Sequence, residues 1–147
     1  MRKRFVLAAM GALMLPGAAQ SQSFFSCKGN DGRFWGLHRV DGSSIQLWNP
    51  GKGWSQNLCA ERECQITAEQ IEMRWNTRSE GQYAYTDTRH HFSVNRRSGT
   101  GSLSYISDQW GYDGRPYTPN GWDPHSEGTT PGTCEKYADP EGGPPKF

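Results

Sequence analysis

Arg89-His90-His91-Phe92-Ser93-Val94-Asn95, a polar link containing Ser98-Gly99, and Gly101-Ser102-Leu103-Ser104-Tyr105-Ile106-Ser107 decide the fold class of this chain. In the first segment Phe92 and Val94 alternate with His91 and Ser93. In the second, Leu103 and Tyr105 alternate with Ser102 and Ser104. Period two with one polar face marks an antiparallel strand buried on one side and wet on the other. The link between them carries turn-forming residues, so the pair reads as a hairpin.

The same alternation extends outward in both directions. Ile45 and Leu47 oppose Ser44, Gln46 and Trp48, while Ile71, Met73 and Trp75 oppose Glu72 and Arg74. Turn signals recur at Asn30-Asp31-Gly32, Asp41-Gly42, Asn49-Pro50-Gly51, Asp113-Gly114 and Asn120-Gly121, and Asp-Gly between such runs favours hairpins because both turn residues tolerate positive φ. Between the turns lie strand-length segments at 23–28, 33–40, 43–48, 54–59, 64–67, 71–75, 82–86, 89–95, 101–107 and 133–137. Thr67 followed by Gln70 imitates a helical capping box, but the apolar positions after it keep strand spacing, which favours a turn and then a strand. These features predict an all-β fold, a small antiparallel meander or partly closed barrel with two disulfides and a long irregular aromatic loop.

The first residues supply an address. Arg2, Lys3 and Arg4 precede an apolar run from Phe5 to Leu15, and Pro16-Gly17-Ala18-Ala19 follows. This is the layout of a secretory signal peptide, with cleavage expected after Ala19 or Ser21. The expected organisation is a signal peptide at 1–21, a single β domain at 22–139 and a flexible tail at 140–147. A periplasmic or secreted location follows, with no stable membrane insertion after signal cleavage. Without the leader's three basic residues the chain keeps 13 basic against 15 acidic residues, a net charge of −2. That balance argues against nucleic acid, which requires a basic face to displace phosphate counterions.

The 126 residues after the leader hold only ten Leu, Ile and Val residues, yet all six Trp and six Tyr fall among them. Near-neutral charge with many aromatic rings points to a folded domain rather than a disordered one, and predicts an interior built largely from rings. Cys27, Cys59, Cys64 and Cys134 all follow the leader and so mature where disulfides form. Of the three possible pairings, Cys59–Cys64 and Cys27–Cys134 are favoured. The first closes a small loop joining two adjacent strands. The second ties first strand to last, as a sheet curling until its ends meet would require. Cys27–Cys59 with Cys64–Cys134 is the alternative. A zinc site fits the spacing poorly, and neither a metal nor a cofactor is expected.

Chemistry-bearing motifs are few. There is no nucleophile elbow, no calcium loop and no phosphate-cradling glycine motif. His38, His90, His91 and His125 are the residues that titrate near neutrality. His90 and His91, adjacent in a strand, must point to opposite faces. Arg89, Arg96 and Arg97, with Arg74 and Arg78 nearby in sequence, form a basic cluster that could meet an anion. The segment from Asp108 to Gly132 is rich in Pro, Gly and rings and lacks periodicity, and such long loops are often functional. Its residues Trp110, Tyr112, Arg115, Tyr117 and Trp122 are the candidate ligand-binding set, because rings offer rigid area with a polar handle. The alternative is that these rings fold back over an open barrel end.

Phe24-Phe25-Ser26-Cys27 near the start and Gly132-Thr133-Cys134 near the end resemble, in outline, the periplasmic inhibitors of chicken-type lysozyme. Ser79-Glu80-Gly81-Gln82-Tyr83 is similar to a Ser/Gly/Tyr stretch of that family. The resemblance implies a small exported antiparallel barrel. It covers these segments alone. The family's Trp-x-Lys-Gly piece is absent, with His91-Phe92-Ser93-Val94-Asn95 in its place, and the long aromatic segment is foreign to it. The expected function is therefore a non-enzymatic exported binding module for a protein partner or a cell-envelope glycan. The rivals are a small hydrolase using His91 or His125 with a carboxylate, and a structural envelope component.

Overall fold

The computed structural model describes residues 22–137 and 139; the expected signal peptide and tail lie outside the described residues. Nine antiparallel strands form one sheet: β1 (Ser23–Gly29), β2 (Phe34–Asp41), β3 (Ser44–Asn49), β4 (Gly53–Trp54), β5 (Glu63–Ile66), β6 (Gln70–Glu80), β7 (Ala84–Asn95), β8 (Thr100–Gly111) and β9 (His125–Lys136). Their spatial order is β4-β3-β2-β1-β9-β8-β7-β6-β5. The sheet curls into a half-barrel with disulfides Cys27–Cys134 and Cys59–Cys64. The all-β, partly closed architecture and both cysteine pairings agree with the sequence reading.

The hairpin at residues 89–107 shows why these residues choose strands. Phe92 pairs with Leu103 and Val94 with Gly101, placing the apolar positions on one face. At the turn, the Asn95 side-chain oxygen accepts from the amides of Arg97 (2.9 Å) and Ser98 (3.0 Å). Gly99 takes φ +72°, and a Cβ there would meet the Cys134 carbonyl oxygen at 2.6 Å. The Cys134 amide donates to the Gly99 carbonyl at 2.7 Å, so the turn is seated directly against β9. Thr67, the apparent helix cap, instead closes the β5–β6 turn. Its hydroxyl accepts from the Gln70 amide at 2.9 Å and its own amide donates to the Gln70 carbonyl at 2.8 Å.

Cys27–Cys134 ties the first described strand to the last, as expected, but the setting of both bridges differs from the sequence reading. Cys27 lies directly opposite Cys134, but β1 and β9 meet at the centre of the sheet, not at two ends curled together. Cys59–Cys64 does not join adjacent strands either. It staples the one-turn 3-10 helix Leu58–Ala60 to β5, on the path by which the chain crosses from edge strand β4 to the opposite edge. Asn57 anchors that crossing, its side-chain oxygen accepting from the amides of Ile45 (3.2 Å) and Cys59 (3.0 Å). The expected strand at 54–59 is accordingly reduced to β4 and this helix.

The core consists of Phe25, Cys27, Val40, Ile45, Ile71, Met73, Phe92, Val94 and Cys134, contributed by six strands. The expectation of a ring-built interior is corrected: among the described residues Phe25 and Phe92 are its only fully buried aromatic members, Trp35 and Trp75 pack against it partly buried, and Tyr83, Tyr105, Tyr112, Tyr137 and Trp122 are exposed. Trp35 packs from the side. A register shift between β1 and β2 turns it inward, and its indole rests where Gly29, Gly101 and Gly132 lack side chains. A Cβ on Gly132 would come within 2.5 Å of that ring.

His38 is also buried, with 6% of its surface exposed, and stacks on Phe92 at 5.1 Å. Burial pushes its pKa down to about 4, Arg62 adding to the shift and the Gly36 backbone opposing it. Because the folded value lies below the ordinary 6.5, the neutral ring is fully favourable above pH 6.5, and that stability is lost as pH falls toward 4.

Two measurements check this account. Urea unfolding should show a loss of about 4–5 kcal/mol for the Cys27→Ala/Cys134→Ala protein, against about 2 kcal/mol for Cys59→Ala/Cys64→Ala, because the closed loops differ so much in length; the reverse ranking would contradict it. Between pH 6.5 and 4 the wild type should lose on the order of 3 kcal/mol more stability than His38→Leu. Parallel pH curves for the two proteins would place the acid sensitivity elsewhere.

Candidate functional site

Past Met73, Phe92 and Leu103 the sheet continues beyond the core. The far halves of β6, β7 and β8, with the start of β9, form a four-stranded wing in which Ala84 and Gly111 are the only buried residues among those described. This corrects the sequence reading in two respects. Segments 82–86 and 89–95 are one strand, β7. The irregular stretch expected at 108–132 shrinks to 112–124, since its first four residues extend β8 and its last eight belong to β9.

One face of the wing carries an ionic row across four strands. Register pairs Arg78 with Asp87, Asp87 with Asp108, and Asp108 with His125. Two carboxylates facing each other would repel, and each is neutralised. Arg78 grips Asp87 with two hydrogen bonds of 2.7 and 2.9 Å. Asp108 accepts from Arg89 at 2.9 Å and pairs with His125 Nδ1 at 2.7 Å. The hydrogen bond to Arg78 holds Asp87 below the usual carboxylate range, and the one to His125 does the same for Asp108. That same bond raises the pKa of His125.

Aromatic rings border the row. Tyr85 and Trp110 are register partners, Arg78 lies over the Tyr85 ring at 4.3 Å, and Tyr112 approaches Tyr85 at 6.0 Å. The Tyr112 hydroxyl donates to the Gly81 carbonyl at 2.7 Å, tying the 112–124 segment to the β6–β7 turn. The result is an open groove of about 830 Å³ walled by Arg78, Tyr85, Asp87, Arg89, Asp108 and Trp110.

Of the five residues singled out in the sequence, Trp110 lines this groove and Tyr112 buttresses it. Arg115, Tyr117 and Trp122 do not line it. Tyr117 is half-buried with its amide on the Gln109 carbonyl, whereas Trp122 is 73% exposed. None of the five belongs to the core cluster, so these rings do not complete it. The basic cluster is dispersed. Arg74 pairs with Glu72, Arg97 with Glu69, and Arg96 donates to the Thr67 carbonyl and Ser23 hydroxyl, while Arg78 and Arg89 enter the ionic row.

The histidines separate as adjacent strand residues must. His90 stacks on Trp75 at 4.8 Å, and His91 faces Glu72 at 3.8 Å. The His125–Asp108 pair provides an acid–base arrangement. Among the described residues, however, no hydroxyl is hydrogen-bonded to His125, and its other ring nitrogen looks toward Glu127 at 4.0 Å. All four cysteines are bridged. Among the described residues no cluster of three or more metal-ligating side chains occurs, and no helix is long and apolar enough to cross a membrane.

No protein-family model matches the chain, and no curated protein or solved structure is detectably similar to it. The likeness to lysozyme inhibitors therefore rests on the cysteine-bearing segments and the Ser79–Tyr83 stretch, and assigns no partner.

The ionic row makes a direct prediction. NMR titration should place the His125 pKa above its ordinary value in the wild type and shift it downward in Asp108→Asn. An unchanged His125 titration in that variant would show that the pair is not formed in solution.

Proposed function

We propose that this is an exported, non-enzymatic binding protein that holds a cell-envelope glycan in the groove on its wing. The observation that carries the reading is that the wing buries almost nothing. Four strands extend past the core with polar residues on both faces, ordering chain while adding only Ala84 and Gly111 to the fully buried residues. Their product is a groove pairing Tyr85 and Trp110 with fixed carboxylates and guanidinium groups. Rings offer flat faces to the C–H side of a sugar, and planar ionised groups pair bidentately with hydroxyls. A protein partner fits less well, because charged side chains are depleted at the centre of such interfaces and here they occupy it. Both disulfides support an oxidising, exported address, with periplasm or medium as the proposed location.

Titration of the mature, oxidised protein with an N-acetylglucosamine tetramer, followed by tryptophan fluorescence, tests this. Saturable binding is expected, weakened at least tenfold in Trp110→Ala, with the thermal midpoint of that variant close to wild type. Absence of saturation, or equal binding by Trp110→Ala, overturns the glycan reading. Release of shortened oligosaccharide that stops in His125→Ala would establish the hydrolase instead.

A further inference from the structure

On the opposite face of the same strands, at the barrel mouth, lies a second cavity of about 450 Å³. Its wall includes Trp35, Leu58, Trp75 and Leu103, with buried Phe92 and His38 and exposed Phe34; Asp31 and Arg33 also line it, but they pair with each other at 3.5 Å. The volume is that of a small-molecule site, and the lining is largely apolar with a few convergent polar groups. Two of those groups lack the partners their chemistry calls for. The buried His38 has no hydrogen-bond partner for Nδ1. Arg62, also in the wall, lies over the Trp75 ring at 4.6 Å and donates to the Met73 sulfur at 3.6 Å. Among the described residues no carboxylate oxygen lies within 4.0 Å of it, Glu61 acting on it only through space, whereas Arg33, Arg74, Arg78, Arg89 and Arg97 each form a direct ion pair. A half-buried guanidinium facing a thioether and a ring retains unused donors for an anion.

We infer that the barrel mouth is a second ligand site, distinct from the wing groove, for a small amphipathic anion: an apolar body held among Trp35, Leu58, Trp75 and Leu103, and one acidic head on Arg62. Charge complementarity selects the occupant. A neutral apolar molecule leaves the guanidinium without a direct ionic contact, and a free anion leaves the apolar wall wet. Arg62 lowers the proton affinity of both His38 and His90, so neutralising it with a bound head group raises both. The site then reports its own occupancy through its histidines.

Dodecanoate, at concentrations below micelle formation, is the probe, with dodecanol as the body-only control and acetate as the head-only control. Calorimetry on the oxidised protein should show saturable dodecanoate binding at least tenfold tighter than dodecanol, and no binding of acetate. Arg62→Gln should reduce dodecanoate affinity at least tenfold and leave dodecanol unchanged, while Arg62→Lys retains most of it. Near-UV circular dichroism confirms that each variant folds. In the wild type, dodecanoate should raise the His38 pKa seen by NMR. Equal affinity for acid and alcohol, undiminished binding by Arg62→Gln, or no dodecanoate binding overturns the inference. Competition by the N-acetylglucosamine tetramer would also overturn it, by merging the two sites. Failure of glycan binding alone would leave this site standing.

Discussion

The pairing of β1 with β9 at the centre of the sheet is the constraint on which the rest depends. Strands β1 to β4 form one meander and β5 to β9 another, and this single ladder joins them. The Cys27–Cys134 bridge sits within it, fully buried on the Cys27 side. Around it the packing is dictated by what has been removed. Gly99 lets the β7–β8 turn rest on the Cys134 carbonyl, and Gly29, Gly101 and Gly132 clear a bed for Trp35 across three strands. With so few aliphatic side chains, a close approach of backbones around one indole and one disulfide substitutes for a thicker interior.

How much of this was legible in the sequence depended on whether a segment buries one face. Phe92, Val94, Leu103, Ile71 and Met73 advertised their strands because one side enters the core. Asp87 and Thr88 did not, because both faces of the wing are wet and the period-two signal vanishes there; one strand was therefore read as two. For the same reason Asp108–Gly111 and His125–Gly132 read as loop in the sequence. The cysteine pairing was readable from spacing, while the reason for it was not, since strand order cannot be read from a linear chain. The site was half visible. Trp110 and Tyr112 stood out as rings in a polar segment. Arg78, Asp87 and Asp108 become neighbours only through register, which no local pattern reveals, and His38 and Arg62 meet only when the barrel curls.

The two surfaces share β6, β7 and β8 as a common wall, one on each face. Alternation along these strands puts Arg78, Asp87 and Arg89 on the groove side and Trp75, His90 and Phe92 on the other. A ligand on either side is thus separated from the other by a single layer of backbone, and each face can be altered by substitution without changing the side chains of its opposite.

The position of the central ladder also governs the order of assembly. Its cysteines are 107 residues apart, whereas most other strand pairs are neighbours in sequence joined by short turns. Bringing distant segments together is the entropically expensive step, so both meanders can form from local hairpins before the lock between them closes. The lock requires β9, the last of the described strands in chain order. Until β9 is in place the two meanders have no ladder to join them, and the Cys27 thiol has no partner at Cys134.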